Sequence, residues 1–375
     1  MSNWENKRNE LISKLPTILD ILEHLAKGEI EFYEKMVGSM FKYVLPTINQ
    51  EGLFEIISYP DGTDKVVPLH MMQDYYRGES SPHFPSYPSL YRKGMTDDEI
   101  LIERVKTCEL SLLIETFPIY QVFKSGISYT FPDNSVQVFN LSVDTEALAQ
   151  HYGIKTQLMD LTVDKFVAAF FATTIYKDRK YYPVDPEQDD MPKYGLFYDY
   201  VDSAINDFIL QPQTGCYNPK LRVVGFQPLS RPGEQRGYVL NMKKEEDFHK
   251  LCRRRCYKFR HDAKVSQLIF NYTNRSNKLF PYSIMEEKAN KIIKSKSFSK
   301  SAVELTLLKY YPQKSYDEIA SKLKGHGISI SSKPIVRFTE EEKKTVIKNW
   351  NAKGFKEFQK QVCVRPVYRG PLKEK

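Results

Sequence analysis

No run in the chain approaches the roughly eighteen uninterrupted apolar residues that a membrane-spanning helix requires, so no membrane partner is expected. The start, Met1-Ser2-Asn3-Trp4-Glu5-Asn6-Lys7, lacks an apolar segment. That excludes a secretory leader and predicts a cytoplasmic location. Cysteine is sparse: Cys108, Cys216, Cys252, Cys256 and Cys363 are odd in number and scattered, which argues against a disulfide framework. His249, Cys252, Cys256 and His261 lie close together, but not at the spacing of zinc modules. Arg253, Arg254 and Arg255 fall among them and would oppose a dication, so no metal is expected.

What is present supports a folded protein. With 375 residues, 41% of them hydrophobic, the chain can bury a sizeable interior in one large core or two domains. Its net charge of +8 is unevenly spread. Residues 252–375 carry 29 Lys and Arg against 11 Asp and Glu, whereas residues 1–251 carry 26 against 36. The basic back half suits an anionic partner, or else a solubilising Lys/Glu surface on helices.

Hydrophobic spacing places helices at 5–48, with Pro16 resetting the first turn, and at 98–125, interrupted by Pro118. Asp61-Gly62 between Leu53–Ile57 and Val66–Leu69 predicts a hairpin. Asp144 is a candidate cap for a helix that ends at His151-Tyr152-Gly153. A second helix is expected over Lys165–Thr174, and strands at Gly195–Tyr200, Leu221–Phe226 and Tyr238–Met242. The Pro-rich, acidic stretch Tyr181–Lys193 reads as a loop. Beyond residue 300, short helices are expected at Ser301–Tyr310, Tyr316–Leu323 and Thr339–Asn351, the last opening with a Thr339/Glu342 capping box.

Separated motifs carry the functional signal. The first is Tyr76-Arg77-Gly78-Glu79-Ser80 followed by Ser89-Leu90-Tyr91-Arg92. The second is Gln150-His151-Tyr152-Gly153 with Thr156, Leu158, Asp160 and Thr162, leading into Ala168 and Phe171-Ala172. The third is Arg231, Gln235 and Gly237, with Leu279-Phe280-Pro281 beyond. In order and spacing these segments resemble the FRG domain family over roughly residues 66–292. Glu79 stands where that family usually has Gln, and Gln157 where Arg is common.

The FRG family is similar in motif layout to ADP-ribosyltransferases, and the resemblance carries several implications. The fold would be α+β, an ADP-ribosyltransferase-like core of two packed β-sheets with flanking helices. The domains would run 1–60 (N-terminal helical segment), 61–295 (FRG domain) and 296–375 (basic helical extension). NAD would be the substrate and a macromolecule, protein or nucleic acid, the ADP-ribose acceptor; an intracellular toxin or anti-phage effector is the implied setting. NAD hydrolysis and a non-catalytic nucleic-acid or protein binding module are the alternatives.

Cleaving the nicotinamide–ribose bond builds positive charge on the ribose. Arg77 has the planar fork for paired, charge-assisted bonds to the dinucleotide; its other role would be a salt bridge with Glu79 or Asp160. Gly78 would let the backbone approach the nicotinamide. His151 would bond a ribose hydroxyl or serve as a helix-end dipole partner, and Tyr152 would stack on a ring or fill the core. Thr156 belongs to the same binding block, and Arg231 would meet phosphate or cap a loop. Gln235 occupies the position where such transferases carry a catalytic Glu, and it cannot act as a base. Glu234 is the neighbouring acid, but on a strand it would face the opposite way from Gln235 and Gly237; a bulge by Pro232-Gly233 would re-aim it. Asp160 and Thr162 are expected to stabilise a turn or cap the helix near Val163.

Overall fold

A computed structural model describes residues 3–39, 54–58, 64–68, 74–92, 94–130, 134–201, 220–225, 228–252 and 255–369. The strands, in chain order, begin with a hairpin of β1 (Phe54–Ser58) and β2 (Asp64–Pro68), then β3 (Asp74–Glu79). A second hairpin joins β4 (Ile127–Thr130) to β5 (Val136–Phe139), and β6 (Leu158–Thr162) follows. A third joins β7 (Thr174–Lys177) to β8 (Lys180–Pro183). Then come β9 (Tyr194–Val201), β10 (Leu221–Val223), β11 (Gly237–Asn241), β12 (Cys256–Arg260), β13 (Ser297–Ser299), β14 (Ser329–Ser331) and β15 (Val362–Arg369).

The architecture is α+β, centred on a six-stranded sheet in the order β10-β11-β6-β3-β9-β12. Every pairing within it is antiparallel. Strand β9 explains why this sheet has no wet face: Leu196, Phe197 and Tyr198 are consecutive and all buried, so both faces must be covered. One face carries helix Lys165–Thr173, helix Ala263–Tyr272 and the N-terminal helix Ile18–Ser39, whose Ile18, Ile21, Leu22 and Leu25 pack with Phe197 and Phe259. The other face holds a larger core, in which Tyr75, Tyr198 and Tyr238 meet helices Asp97–Glu115 and Thr145–His151.

Helices lie on both faces of this sheet, in keeping with the α+β class expected from the sequence. The three-stranded sheet β15-β1-β2 joins the chain's last described strand in parallel to its first, and its Ile56 is buried in the same larger core. The basic C-terminal helices are packed into the larger core through Phe298, Ala302, Val303, Ile319 and Leu323. Lys288, about three-quarters of the way along the chain, is held there by the Arg337 carbonyl and Glu342, each at 2.9 Å.

Local signals account for most element boundaries. The β1–β2 hairpin forms, although Asp61-Gly62 lies outside the described residues, as does residues 40–48 of the expected first helix. Helix Pro118–Ser125 restarts at its proline after helix Asp97–Glu115, since that ring has no N–H to leave unbonded. Asp144 caps Thr145–His151 by accepting from the Ala147 N–H (3.0 Å), and Thr339 and Glu342 form the expected capping box. Two readings are corrected. The segment at Tyr181 is not all loop, because β7 and β8 make a tight hairpin whose Tyr181 faces Tyr176. The helix after Val163 is capped by Asp164, which accepts from Phe166 and Val167, whereas Asp160 lies in β6 and takes no part; Thr162, the last residue of β6, does stabilise the turn into the helix, its Oγ1 accepting from the Asp164 N–H (3.0 Å). Among the described residues no helix is long and apolar enough to cross a membrane.

Candidate functional site

The two central strands, β3 and β6, share a single register pair, Tyr76 with Thr162. Beyond it they part, and a cavity of about 1090 Å³ opens there. Its walls include Arg77, Gly78 and Glu79 from β3 and Asp160, Leu161 and Thr162 from β6. Arg77 spans the gap: its Nη1 donates to the Asp160 carbonyl (3.0 Å), replacing a ladder bond that the divergence forbids. Its Nε donates to Glu79 Oε1 (3.1 Å), which is the salt bridge offered as its alternative role.

His151 and Gln235 reach the same cavity from different elements. His151 closes the helix Thr145–His151, and its ring lies against β11 because position 237 is glycine. A Cβ there would sit 3.0 Å from His151 Cε1, so tight that the ring would have to give way. Burial pushes the His151 pKa below the ordinary histidine value despite nearby Asp160, so the ring is neutral at pH 7. Its Nε2 is buried without a hydrogen-bond partner, 3.9 Å from Asp160 Oδ1.

Gln235 is not on a strand. It follows the short helix Ser230–Glu234 as its C-cap, so the alternation argument that separated it from Glu234 does not apply. The outcome is nonetheless a separation: Gln235 is buried at the cavity, whereas Glu234 is exposed beside Asp164, Arg236 and Lys278 on a different, smaller depression. Gln235 Nε2 donates to the Leu279 backbone carbonyl (3.0 Å), and the Gln235 backbone carbonyl accepts from Thr162 Oγ1 (2.8 Å). These bonds join the third motif to the second and to Leu279-Phe280-Pro281.

Three expected ligand contacts support the cavity from behind rather than lining it. Thr156 is buried and binds the first motif to the second: its N–H donates to Ser89 Oγ (3.2 Å) and its carbonyl accepts from the Leu90 N–H (3.1 Å). Tyr152 is buried, with its phenol pKa pushed up to about 12 by burial and its hydroxyl 3.3 Å from Ser283 Oγ. Arg231 lies between Tyr152 and Phe280, 4.5 Å from the Phe280 ring centre, and Phe280 in turn stacks on Tyr181 at 4.7 Å. Arg231 thus buttresses an aromatic wall. Gly78 lines the cavity, but its missing side chain makes room for the helix behind it. A Cβ at residue 78 would come within 2.0 Å of the Ala168 carbonyl oxygen.

The structure also adds residues to which the motifs assigned no role. Arg92 enters the cavity beside Arg77; partial burial, then the neighbouring Arg77, lowers its pKa. No described residue hydrogen-bonds its guanidinium. Tyr176, Tyr181 and Phe171 form an aromatic side, and Phe84 with His83 line the cavity from the loop after β3. Arg92 and Asp160 were inside quoted motifs, so their presence was visible. Tyr181 carried no signal, because one tyrosine among 25 is unremarkable until its neighbours are known. The four residues screened for metal go to separate tasks in part: His261 meets the Ser80 carbonyl (2.8 Å) and His249 packs edge-on against Phe84. Among the described residues no cluster suited to a metal ion is present.

Residues 73–180 match the family model of the FRG domain. That span includes Arg77, Arg92, His151 and Asp160 and stops before Gln235, so the third arm of the cavity comes from outside the matched region. No curated protein and no solved structure matched the chain.

Proposed function

We propose that this cavity binds NAD and that the protein transfers ADP-ribose from it to a macromolecular acceptor. The observation that carries the reading is convergence: one guanidinium, one imidazole and one carboxamide from three distant segments meet at one cavity. Its volume of about 1090 Å³ lies at the upper end of small-molecule sites, as a dinucleotide demands. Arg77 and Arg92 offer a cationic side for the diphosphate. Tyr176, Tyr181 and Phe171 offer ring faces for the base or the nicotinamide. Neutral His151 holds a nitrogen ready for a ribose hydroxyl, and an intracellular toxin or anti-phage effector is the setting that family analogy supplies.

One feature favours a second reading. The Gln235 carboxamide is engaged by Leu279, and no carboxylate stands in its place, which suits a module that binds without catalysing. Incubation with NAD labelled in its adenylate, in the presence of cell extract, separates the possibilities. Label on a macromolecule is the expected outcome, and free ADP-ribose alone would mean hydrolysis. Absence of any calorimetric NAD affinity would leave only the binding module, with the basic C-terminal half as the place to look for an anionic partner. The variant His151→Ala is expected to lose nicotinamide release by about a hundredfold while its circular dichroism stays that of the parent.

A further inference from the structure

We propose that Asp160 is the catalytic carboxylate of this cavity, a role that rests on the NAD reading above. Among the described residues two acids line the cavity, Glu79 and Asp160. Glu79 is buried and committed: it accepts from Arg77 Nε (3.1 Å) and Ser86 Oγ (3.0 Å), with the Tyr198 hydroxyl at 3.5 Å. Asp160 is its opposite. It sits at the centre of β6 with buried residues on both sides, yet its own side chain is 51% exposed, and it lines the cavity. No described residue donates a hydrogen bond to its carboxylate. An acid in the middle of a central strand costs stability unless something uses it.

Position supports the same assignment. Arg77 Nη1 fixes the Asp160 backbone carbonyl (3.0 Å), and the unpartnered His151 Nε2 lies 3.9 Å from Asp160 Oδ1. A substrate held by both would place its reacting carbon beside this carboxylate. The bond that breaks joins ribose C1′ to the nicotinamide nitrogen. Its electron pair departs with nicotinamide, which becomes neutral as positive charge grows on C1′ and the ring oxygen. The Asp160 carboxylate opposes that charge. A lone pair of the acceptor then bonds to C1′, and the proton released by the acceptor passes to Asp160 and on to solvent. The acid missing at position 235 is thus supplied by β6.

The test compares the parent protein with Asp160→Asn, Asp160→Glu and Glu234→Gln, measuring NAD affinity by calorimetry and nicotinamide release in parallel. Asp160→Asn should release nicotinamide about a hundredfold more slowly or worse, with its NAD dissociation constant within about threefold of the parent. If Asp160→Asn fails to fold, Asp160→Glu decides, since retention of measurable turnover by the longer carboxylate is expected and complete loss overturns the assignment. Parental turnover in Asp160→Asn, equal losses of affinity and turnover, or inactivity of Glu234→Gln alone would each remove Asp160 from the chemistry while leaving NAD as the ligand. A parent protein that neither binds NAD nor releases nicotinamide overturns the NAD reading and this assignment together.

Discussion

Two groups of arginines and carboxylates in this molecule are treated in opposite ways. In the interior, Arg222 is gripped by Asp144 (3.2 Å) and Glu146 (3.1 Å), and Glu146 also accepts from Gln157 (2.8 Å) and Tyr310. Burial alone would lower the Arg222 pKa and raise that of Glu146, but the partner charges prevail and both shifts run the other way. In the cavity the balance reverses. Burial prevails at Arg92 and His151, both of which have lowered pKa values, and Asp160 is left without a donor. Charges that hold the fold are compensated within it; charges kept under-compensated beside a cavity are available to a ligand.

Three measurements can break or sharpen that contrast. The largest effect is expected from Arg222→Ala, which removes the cation shared by Asp144 and the buried Glu146 and should destabilise the protein by about 3–5 kcal/mol. Urea unfolding checks it, and a loss below about 1 kcal/mol would show that the interior group is not doing structural work of the kind inferred. Arg92→Ala should do the reverse. With no internal partner lost, its unfolding midpoint should not move, while NAD affinity falls roughly a hundredfold as a charge-assisted contact of about 1.5–3 kcal/mol disappears. Unaltered affinity would make Arg92 an ordinary surface cation.

The smallest effect is at the border between the two groups. His261 is buried yet holds the cavity loop through the Ser80 carbonyl, and burial pushes its pKa down to about 4. A depressed histidine pKa means that the unfolded chain binds the proton first. Its stabilising contribution is therefore present above the unfolded value near 6.5 and drains away as pH falls towards 4. Between pH 7 and pH 5 this single group should cost about 2 kcal/mol. Unfolding midpoints of the parent and His261→Gln at both pH values test this, since the variant should lose less on acidification; equal losses would assign the acid sensitivity elsewhere.

How much was legible in advance differs along the chain for physical reasons. The Pro118 break, the Asp144 cap and the Thr339/Glu342 box were readable because each is a contact within one turn of helix. The β7–β8 hairpin was missed because Pro183 and the surrounding acids obscured a two-sided pairing. Arg77, Gly78, His151 and Gln235 were legible as candidates and do share one cavity. Glu234 was judged by strand alternation on a segment that is helical, and Thr156, Tyr152 and Arg231 turned out to stand behind the wall.

The helix ends and the motifs could be read from the amino-acid order, since propensity, capping and hydrophobic period act over a few residues, while the α+β class was what the motif resemblance implied. Which polar groups face the cavity was settled only by long-range packing. That choice depends on where β3 and β6, more than eighty residues apart, stop pairing, and on which side of each strand a helix covers. Exposure of Asp160 within an otherwise buried strand is a property of that divergence, and no local pattern encodes it.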